Sequence, residues 1–423
     1  MEKYHKMNDS SLFDERLKRV NDALALKEPD RVPCLPMYSA FPYIFAGYSM
    51  ADILYDSAKA RNSIRKYLRH FEPDMSLGYQ TSFAGEGFLL EKLAPTWLEW
   101  AGRPGSRIDK NSIHQYIEHE YLEDEEYPDF NSDMGGWVLR KYLPRAFRSL
   151  EALSGLDFRV GTGYGFGALA MQFVDPDVQK AFTTLTEVGL MTAKLNNEIA
   201  QFEIETEKMG FPNLVAATTT TAYDDLSDCL RGTIPSSLDL IDKPKDMLKA
   251  IEQFFPGSLF GALAQAEHSL GRVVFIPLHK GMDKFMSDSQ YKEFYWDSLL
   301  RLVNGLIDAN LTPWVYTEGK YFSRIECLMD MPKGKTYIHF EDADMKKAKK
   351  LLGDVACLSG GIRTDMLVRG TKDQVADEVK KNIDILAPGG GYIFDLADPM
   401  EANCKVENVE TMFDTVRTYG KYR

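Results

Sequence analysis

The chain has few cysteines, and their spacing is not typical of a metal or redox site. Five cysteines are scattered over 423 residues without a Cys-x-x-Cys pair: Cys34, Cys229, Cys327, Cys357 and Cys404. An odd and sparse set of this kind indicates reduced thiols rather than a disulfide framework. We interpret Cys34 and Cys357, which lie in apolar strand-like runs, as small core residues rather than nucleophiles.

Long apolar runs are also missing. No stretch approaches the roughly 18 uninterrupted apolar residues that a membrane span needs. The polar segment from Met1 to Glu15 lacks the apolar centre of a signal peptide. Together with the reduced thiols, these absences predict a soluble cytoplasmic protein without a membrane partner.

The chain has no excess of positive charge. Its 63 acidic residues outnumber the 50 basic ones, and the net charge of −13 argues against a nucleic-acid partner. Many of the acids lie in one segment: Glu118, Glu120, Glu123, Asp124, Glu125, Glu126 and Asp129. We interpret this run as a solvated face rather than as a docking patch for a basic partner.

Short apolar runs that end in reactive side chains occupy the last third of the chain. The runs at 273–278, 312–317, 336–338, 355–358 and 392–394 are followed by His279 and Lys280, Glu318, His339 and Glu341, Ser359, and Asp395, respectively. Helix-like segments separate most of them. In a parallel (β/α) barrel the carboxyl ends of all strands face one mouth. The pattern therefore predicts an α/β protein with a (β/α)8 TIM barrel fold and the layout of an enzyme.

The rest of the chain fits one elaborated domain over residues 1–423. Strand-like segments are predicted at 32–37, 73–79 and 213–217, and helices at 15–26, 51–71, 175–210, 239–255, 288–310, 371–386 and 408–419. Thr371 and Gln374 form a capping-box pattern at the start of one of these helices. The periodicity is poor at about 89–150, which we interpret as an inserted cap or lid over the mouth.

Four strand-end residues are the main candidates for catalysis: Glu318, His339, Glu341 and Asp395. An imidazole and carboxylates suit a divalent metal such as zinc, for which Glu318, His339 and Glu341 are the predicted ligands. The same groups also suit general acid and base catalysis, since burial raises the pKa of a carboxyl group. The alternative is that each one only binds loop amides or surface water.

Other polar and aromatic residues at predicted strand ends are candidates for binding substrate. Lys280 offers a point charge or a base, with His279 beside it, unless the lysine simply extends to solvent. The remaining candidates are Tyr38 and Phe41 after the first strand, Tyr79 after the second, Thr220 in the polar run 218–225, and Ser359 before two glycines. Tight turns and core packing explain such residues as readily as a ligand site does.

Three segments resemble the uroporphyrinogen decarboxylase superfamily, which includes zinc- and corrinoid-dependent methyltransferases. They are Arg31-Val32-Pro33, the Gly360-Gly361 turn after a strand, and the run 386–391, which is similar to the LAPGCG motif of that family. The resemblance is diffuse but covers most of the chain. It implies a (β/α)8 barrel with its active site at the carboxyl-terminal mouth.

The departures from this family restrict the activity. Residues 37–41 contain none of the arginines that grip the carboxylates of uroporphyrinogen, which argues against that substrate. The resemblance implies zinc ligands of the His-x-Cys and Cys type at three positions that here hold Glu318, Lys320 and Gly390. Thiolate activation by that zinc site is therefore expected to be absent.

The sequence therefore predicts a methyltransferase that moves a methyl group between a small organic donor or acceptor and a corrinoid. We expect a partner protein to carry the corrinoid (cobalamin), since the chain lacks an Asp-x-His-x-x-Gly motif and no cofactor is expected to be covalently bound. The alternative is a carboxy-lyase that acts on a smaller aromatic or heterocyclic carboxylic acid held by Lys280. A barrel that only binds a ligand is a third reading, and the resemblance alone implies a homodimer.

Overall fold

The computed structural model describes residues 10–79 and 82–422. Its strands are β1 (Leu98–Glu99), β2 (Gln115–Tyr116), β3 (Val215–Thr218), β4 (Val273–Leu278), β5 (Thr312–Lys320), β6 (Tyr337–Asp342) and β7 (Cys357–Gly360). Strands β3 to β7 form one parallel sheet in chain order, and β1 pairs with β2 in an antiparallel ribbon. The parallel sheet confirms the α/β class that the alternation of apolar runs and helical segments predicts.

The register of the sheet places one aromatic residue and two polar residues in a row across three strands. Tyr316 of β5 lies opposite His339 of β6, and His339 lies opposite Ser359 of β7. Residues directly opposite each other in neighbouring strands share one face of the sheet. The strand pairing alone therefore brings together side chains that are 43 residues apart in the sequence, from position 316 to position 359.

Three further strand-like segments connect the two edges of this sheet without forming regular ladders. Single parallel bridges join Leu358 to Tyr392, Cys34 to Phe394, and Ser76 to Asn213. The amide of Asp74 donates to the carbonyl of Cys34 at 3.1 Å. Prolines at positions 33, 36 and 73 remove amide donors from the first two segments, so regular pairing cannot develop there.

Nineteen α-helices lie in the described part of the chain. Those before β3 are α1 (Ser10–Leu24), α2 (Phe41–Ala46), α3 (Met50–Tyr55), α4 (Ser57–Phe71), α5 (Gly87–Leu93), α6 (Tyr127–Ser132), α7 (Met134–Trp137), α8 (Leu143–Ala146), α9 (Phe166–Gln172) and α10 (Pro176–Lys208). Those after β3 are α11 (Ala222–Leu226), α12 (Thr233–Asp242), α13 (Pro244–Ala266), α14 (Asp288–Gln290), α15 (Asp297–Asp308), α16 (Met345–Leu352), α17 (Asp365–Arg369), α18 (Lys372–Leu386) and α19 (Val406–Tyr419).

Shorter helical turns complete these elements. The π-helical stretches are Val138–Tyr142, Ser227–Arg231 and Tyr291–Trp296, and the 3₁₀ stretches are Asp124–Glu126, Arg148–Gly155, Phe158–Gly161, Gly163–Gly165 and Arg324–Asp330. The predicted helix at 51–71 is divided at Asp56, whose extended backbone and side chain cap the start of α4. The predicted capping box is present at α18, where Thr371 accepts from the amide of Gln374.

The irregular region between α4 and β3 includes the ribbon β1–β2 and most of the short helices. Irregular structure continues beyond residue 150 as far as Gln172, and the chain then returns along the 33 residues of α10. A separate apolar cluster joins Leu150, Leu153 and Leu156 to Val178 and Ala181 of α10. The long helix and this small core therefore hold the far end of the region together.

Part of the acidic run is bound to arginines. Arg231 is only 3% exposed, and its guanidinium donates to Glu120 at 2.5 Å and to Asp239 at 2.7 Å. Arg145 donates to both oxygens of Glu126 at 2.6 and 2.8 Å. The interpretation of this run as a solvated face is thus wrong for Glu126, which is 12% exposed and paired within the inserted region, whereas Glu120 is exposed and pairs with Arg231 from the surface.

Replacing Gly360 with alanine is expected to lower the free energy of unfolding by about 1 to 3 kcal/mol. Gly360 has a φ of +94°, and a Cβ atom built there would lie 2.0 Å from the carbonyl oxygen of Phe340. The matched control is Gly155→Ala, because a Cβ at Gly155 meets nothing within 4 Å. Urea titrations of both variants check this, and equal effects would contradict the steric explanation.

No helix among residues 10–79 and 82–422 combines the length and the apolar character needed to span a bilayer.

Candidate active site

The imidazole of His339 lies fully buried at the centre of the sheet. Its ring stacks on Tyr316 with a centroid distance of 3.9 Å and an interplanar angle of 5°. Nε2 lies 3.0 Å from the carbonyl oxygen of Ala397, and Nδ1 lies 3.0 Å from Oγ of Ser359. A carbonyl can only accept, so Nε2 carries a proton. Both ring nitrogens thus bind to the protein itself.

Asp395 joins this buried group from the neighbouring segment. Its Oδ1 accepts from the amides of Met37 at 2.8 Å and Leu396 at 2.7 Å, and its Oδ2 lies 3.2 Å from Nδ1 of His339. That last contact is not aligned as a hydrogen bond, so Oδ2 has no hydrogen-bond partner among residues 10–79 and 82–422. The structure thus brings together three predicted residues: His339, Asp395 and Ser359.

A second polar group lies at the ends of β4 and β5. Nδ1 of His279 donates to Asp228 at 2.5 Å, and Nε2 of His279 lies 3.9 Å from Oε1 of Glu318. Lys280 contacts the other oxygen of Asp228 at 2.9 Å and donates to Oγ1 of Thr233 at 3.0 Å. The group around Asp228 therefore contains three predicted residues: His279, Lys280 and Glu318.

Asp224 binds the backbone of this group. Its fully buried carboxylate accepts from the hydroxyl of Tyr295 at 2.5 Å, and from the amides of Lys280 at 2.9 Å and His279 at 3.3 Å. These bonds fix the backbone that carries the two cationic side chains. The predicted site did not include Asp228, and its only sequence signal is the helical spacing of four residues from Asp224.

Burial and neighbouring charges shift the pKa values of the acids and of the histidine in the second group. Burial works to lower the pKa of His279, but its hydrogen bond to Asp228 and the charges of Asp224 and Glu318 outweigh it and raise that pKa to about 9. Burial raises the pKa of Glu318, partly offset by the charge of His279, and burial also raises the pKa of Asp224 to about 7. His279 is therefore protonated at neutral pH, and Glu318 is the candidate proton donor.

The raised pKa of His279 predicts a pH dependence of stability. A group with a pKa above its unfolded value stabilises the fold fully below pH 6.5, and the contribution is lost as the pH rises through about 9. The difference in unfolding free energy between the wild type and His279→Gln is expected to decline over that interval. Urea titrations at a series of pH values measure this difference, and Asp228→Asn should shrink it as well. A difference that stays constant with pH would contradict the ion pair.

The predicted metal ligands do not form a metal site among the described residues. No three His, Cys, Asp or Glu side chains in residues 10–79 and 82–422 are arranged to hold an ion. Glu341 accepts from the amide of Gly319 at 2.6 Å, and the ring nitrogens of His339 are bound as described. The family positions at Glu318, Lys320 and Gly390 offer one carboxylate and an amine, which does not fit a zinc ion that activates thiols.

A cavity of about 980 Å³ lies beside these groups, between the barrel, β2, α10 and the end of α13. Tyr38 and Tyr79 line it, as do Phe275 and Trp314 from the barrel strands. Phe41 instead packs against Phe45 and Phe71 outside this lining. Of the predicted substrate contacts, the cavity therefore includes the two tyrosines.

The cavity approaches the second polar group at Tyr116 of β2. The carboxylates of Asp228 and Glu86 act on the hydroxyl of Tyr116, whose side chain is 68% exposed. Thr220, another predicted contact, donates its hydroxyl to Asp225 in the same region. The lining reaches Tyr116 of β2 and Thr218 at the end of β3, but it includes none of Asp228, His279, Lys280 and Glu318.

Comparisons with known proteins agree with this fold. Residues 242–419 match the family described as uroporphyrinogen decarboxylase (URO-D). A solved structure of a methyltransferase from Methanosarcina mazei is similar to the chain with a TM-score of 0.62 and 16% identity, covering 95% of this chain and 98% of that one. No curated protein matches the chain.

The family match contains the strands β4 to β7 and the predicted residues His279, Lys280, Glu318, His339, Ser359 and Asp395, whereas Asp224, Asp228 and Thr233 lie before it. The similar structure extends the likeness in fold to nearly the whole chain. These findings confirm the TIM-barrel type of fold. Residues 242–419 match the uroporphyrinogen decarboxylase family, in agreement with the resemblance seen in the sequence, and the likeness in fold extends over nearly the whole chain.

Proposed function

We propose that this protein is a methyltransferase that moves a methyl group between a small organic compound and a corrinoid protein. The reaction would take place at the ends of β4 and β5, beside the aromatic cavity. One observation carries the proposal: Glu318, a carboxyl group with a raised pKa, lies 3.9 Å from the protonated His279 at the ends of β4 and β5.

Glu318 serves as the general acid in this proposal. When a methyl group leaves an ether oxygen or an amine nitrogen, the electron pair of the broken bond stays on that atom, and a proton neutralises it. General acid catalysis of this kind contributes about 10²- to 10⁴-fold to a rate. Protonated His279, held by Asp228 at 2.5 Å, can return a proton to Glu318 after each turnover.

Lys280 orients this group and links it to the inserted region. Its ammonium binds Asp228 and the hydroxyl of Thr233, and the amide of Thr233 donates to Glu118 at 2.7 Å. Two cations, His279 and Lys280, thus contact the one carboxylate of Asp228. The ammonium of Lys280 suits a phenolate or carboxylate on the substrate.

The corrinoid would be carried by a separate protein and would supply a nucleophilic Co(I) that accepts the methyl group. The part assigned to this chain is to bind the methyl compound, orient it and protonate the leaving atom. His339, Asp395 and Ser359 would hold the floor of the mouth in place beneath the reacting groups.

The test combines the purified protein with cob(I)alamin and 3-methoxyphenol under anaerobic conditions. Conversion of the cob(I)alamin absorbance to that of methylcobalamin, with release of the demethylated phenol, is the expected result. A matched incubation with Glu318→Gln should convert much more slowly. The absence of conversion with ether and amine donors alike would overturn the proposal.

The second candidate function is a carboxy-lyase, and the family match of residues 242–419 favours it. In that reaction Lys280 holds the carboxylate, the carbon–carbon bond breaks with release of CO₂, and Glu318 protonates the carbanion. Incubation with pyrrole-2-carboxylate or 3-hydroxybenzoate, with detection of CO₂, tests it. Release of CO₂ that is lost in Lys280→Met, without any methylation of cob(I)alamin, would favour the lyase over the methyltransferase.

A further inference from the structure

The cavity has an aromatic lining. Seven Phe, Tyr and Trp side chains border it, among them Tyr79, Phe83, Tyr116, Phe202, Phe275 and Trp314. They come from the barrel strands, the β1–β2 ribbon and α10, so the rings surround the space from several sides. Tyr116 is 68% exposed and forms the outer rim, whereas Trp314 is buried at the inner end.

The charges on this lining have one sign. Among the described residues that border the cavity, two are carboxylates, Glu86 and Glu203, two are histidines, His114 and His268, and none is lysine or arginine. Burial lowers the pKa of His114 to about 4, so this imidazole is neutral at pH 7. An anion in the cavity would therefore meet two carboxylates and no lysine or arginine on the lining, whereas a cation would be attracted.

We propose that this cavity binds a methylated ammonium compound, with the aromatic rings around the N-methyl groups and the two carboxylates balancing the charge. This inference rests on the proposed methyltransferase activity and names the class of its methyl donor. The negative face of an aromatic ring attracts a cation, and cages of such rings recognise quaternary ammonium groups. The volume of about 980 Å³ leaves room for a larger scaffold on the nitrogen.

Two of these rings already lie beside arginine side chains. The guanidinium of Arg61 lies 5.7 Å from the ring centroid of Tyr79, and that of Arg65 lies 5.4 Å from the ring of Phe202. Each arginine is balanced by a glutamate of α10, Glu198 at 2.6 Å and Glu205 at 2.8 Å. The positive charges of the two arginines near these rings are therefore already balanced by ion pairs.

The chemistry of such a donor balances without an oxidant. The carbon–nitrogen bond breaks, its electron pair stays on nitrogen, and the methyl group passes to the Co(I) of the corrinoid protein. A quaternary nitrogen leaves as a neutral amine and needs no proton. A tertiary aromatic amine must first receive a proton, which Glu318 is positioned to supply.

The binding test uses three aromatic probes of similar size and different charge: 3-hydroxy-N,N,N-trimethylanilinium, 3-tert-butylphenol and 3-hydroxybenzoate. Isothermal titration of the full-length protein measures each Kd. The cation is expected to bind about tenfold more tightly than its neutral isostere, as a desolvated cation–π contact supports. Equal binding of the cation and the isostere, or preference for the anion, would overturn the inference.

Ring substitutions separate cation binding from simple apolar contact. Tyr116→Leu and Phe83→Leu keep an apolar side chain but remove the aromatic face, and each should weaken the cation about threefold to tenfold without changing the affinity for 3-tert-butylphenol. The control is Phe88→Leu, an exposed ring on α5 outside the lining. Equal losses for both probes would overturn the cation site. Thermal unfolding of each variant confirms that it is folded.

The two proposals fail in different ways. If the cation binds but no donor methylates cob(I)alamin, the methyltransferase proposal is overturned and the cation site stands. If 3-methoxyphenol methylates cob(I)alamin but the cation does not bind, the cation site alone is overturned.

Discussion

Glu318→Gln is expected to lower methyl transfer from 3-(dimethylamino)phenol to cob(I)alamin by about 10²-fold or more, because the amine nitrogen then leaves without a proton. Transfer from 3-hydroxy-N,N,N-trimethylanilinium should change little, since a quaternary nitrogen leaves as a neutral amine. Single-turnover rates with both donors, read from the methylcobalamin absorbance, measure the ratio. In the wild type, the rate with the tertiary amine should fall as pH rises through the raised pKa of Glu318.

The matched control for this experiment is Glu326→Gln, which alters an exposed glutamate paired with Lys347 on the surface. Its rates with both donors should equal those of the wild type. If Glu318→Gln slows both donors by the same factor, Glu318 does not act as the proton donor. A positioning role would then explain the loss, because misplacement affects every donor alike.

Asp74→Ala is expected to lower the free energy of unfolding by about 3 to 5 kcal/mol, because it leaves buried cations without their partner. Asp74 is fully buried and accepts from Arg19 at 2.6 Å, from Arg31 at 2.8 Å, and from the amide of Cys34 at 2.7 Å. These bonds join α1 to the two proline-containing segments that lack regular strand pairing. Urea denaturation of the purified variant measures the loss.

The control for Asp74 is an ion pair of the same chemistry on the surface. Glu252 binds the guanidinium of Arg301 at 2.6 and 3.1 Å, and both side chains are well exposed. Glu252→Ala should therefore change the unfolding free energy by less than about 1 kcal/mol. Similar losses in the two variants would show that burial does not decide the strength of these pairs.

The elements that the sequence predicts best are those with strong local signals. The apolar run at 273–278 is β4, and the capping box at Thr371 begins α18, which ends at Leu386 as predicted. The segments at 32–37 and 73–79 are extended but carry only single bridges, because their prolines lack amide donors. Local composition thus identifies an extended segment but does not show how many hydrogen bonds its backbone forms with neighbouring strands.

The acidic run shows the opposite case, in which composition alone misleads. Glu120 lies more than 100 residues before Arg231, and the two meet only because the inserted region folds back over the barrel. Glu126 is likewise bound by Arg145. No local pattern marks these glutamates as different from their solvated neighbours.

The sequence predicts the types of residue at the candidate site but not which of them lie together. The strand-end rule brings Glu318, His339 and Asp395 to one mouth, yet they lie in two groups at different depths. His339 of β6 pairs directly with Tyr316 of β5. Glu318 lies two residues further along β5 and contacts His279 instead. Asp228, which joins His279 to Lys280, comes from a helical turn after β3 and has no strand-end signal.

The sequence by itself determined the α/β class, the parallel order of the last strands and the polar residues at their ends, because these depend on local periodicity and on the direction of the chain. Only the tertiary structure decided which side chains are buried, which acids pair with which bases and where the aromatic rings enclose a cavity. Those properties depend on distances between residues far apart in the chain. Burial and charge at those distances then set the pKa values of His279 and Glu318, on which the proposed chemistry depends.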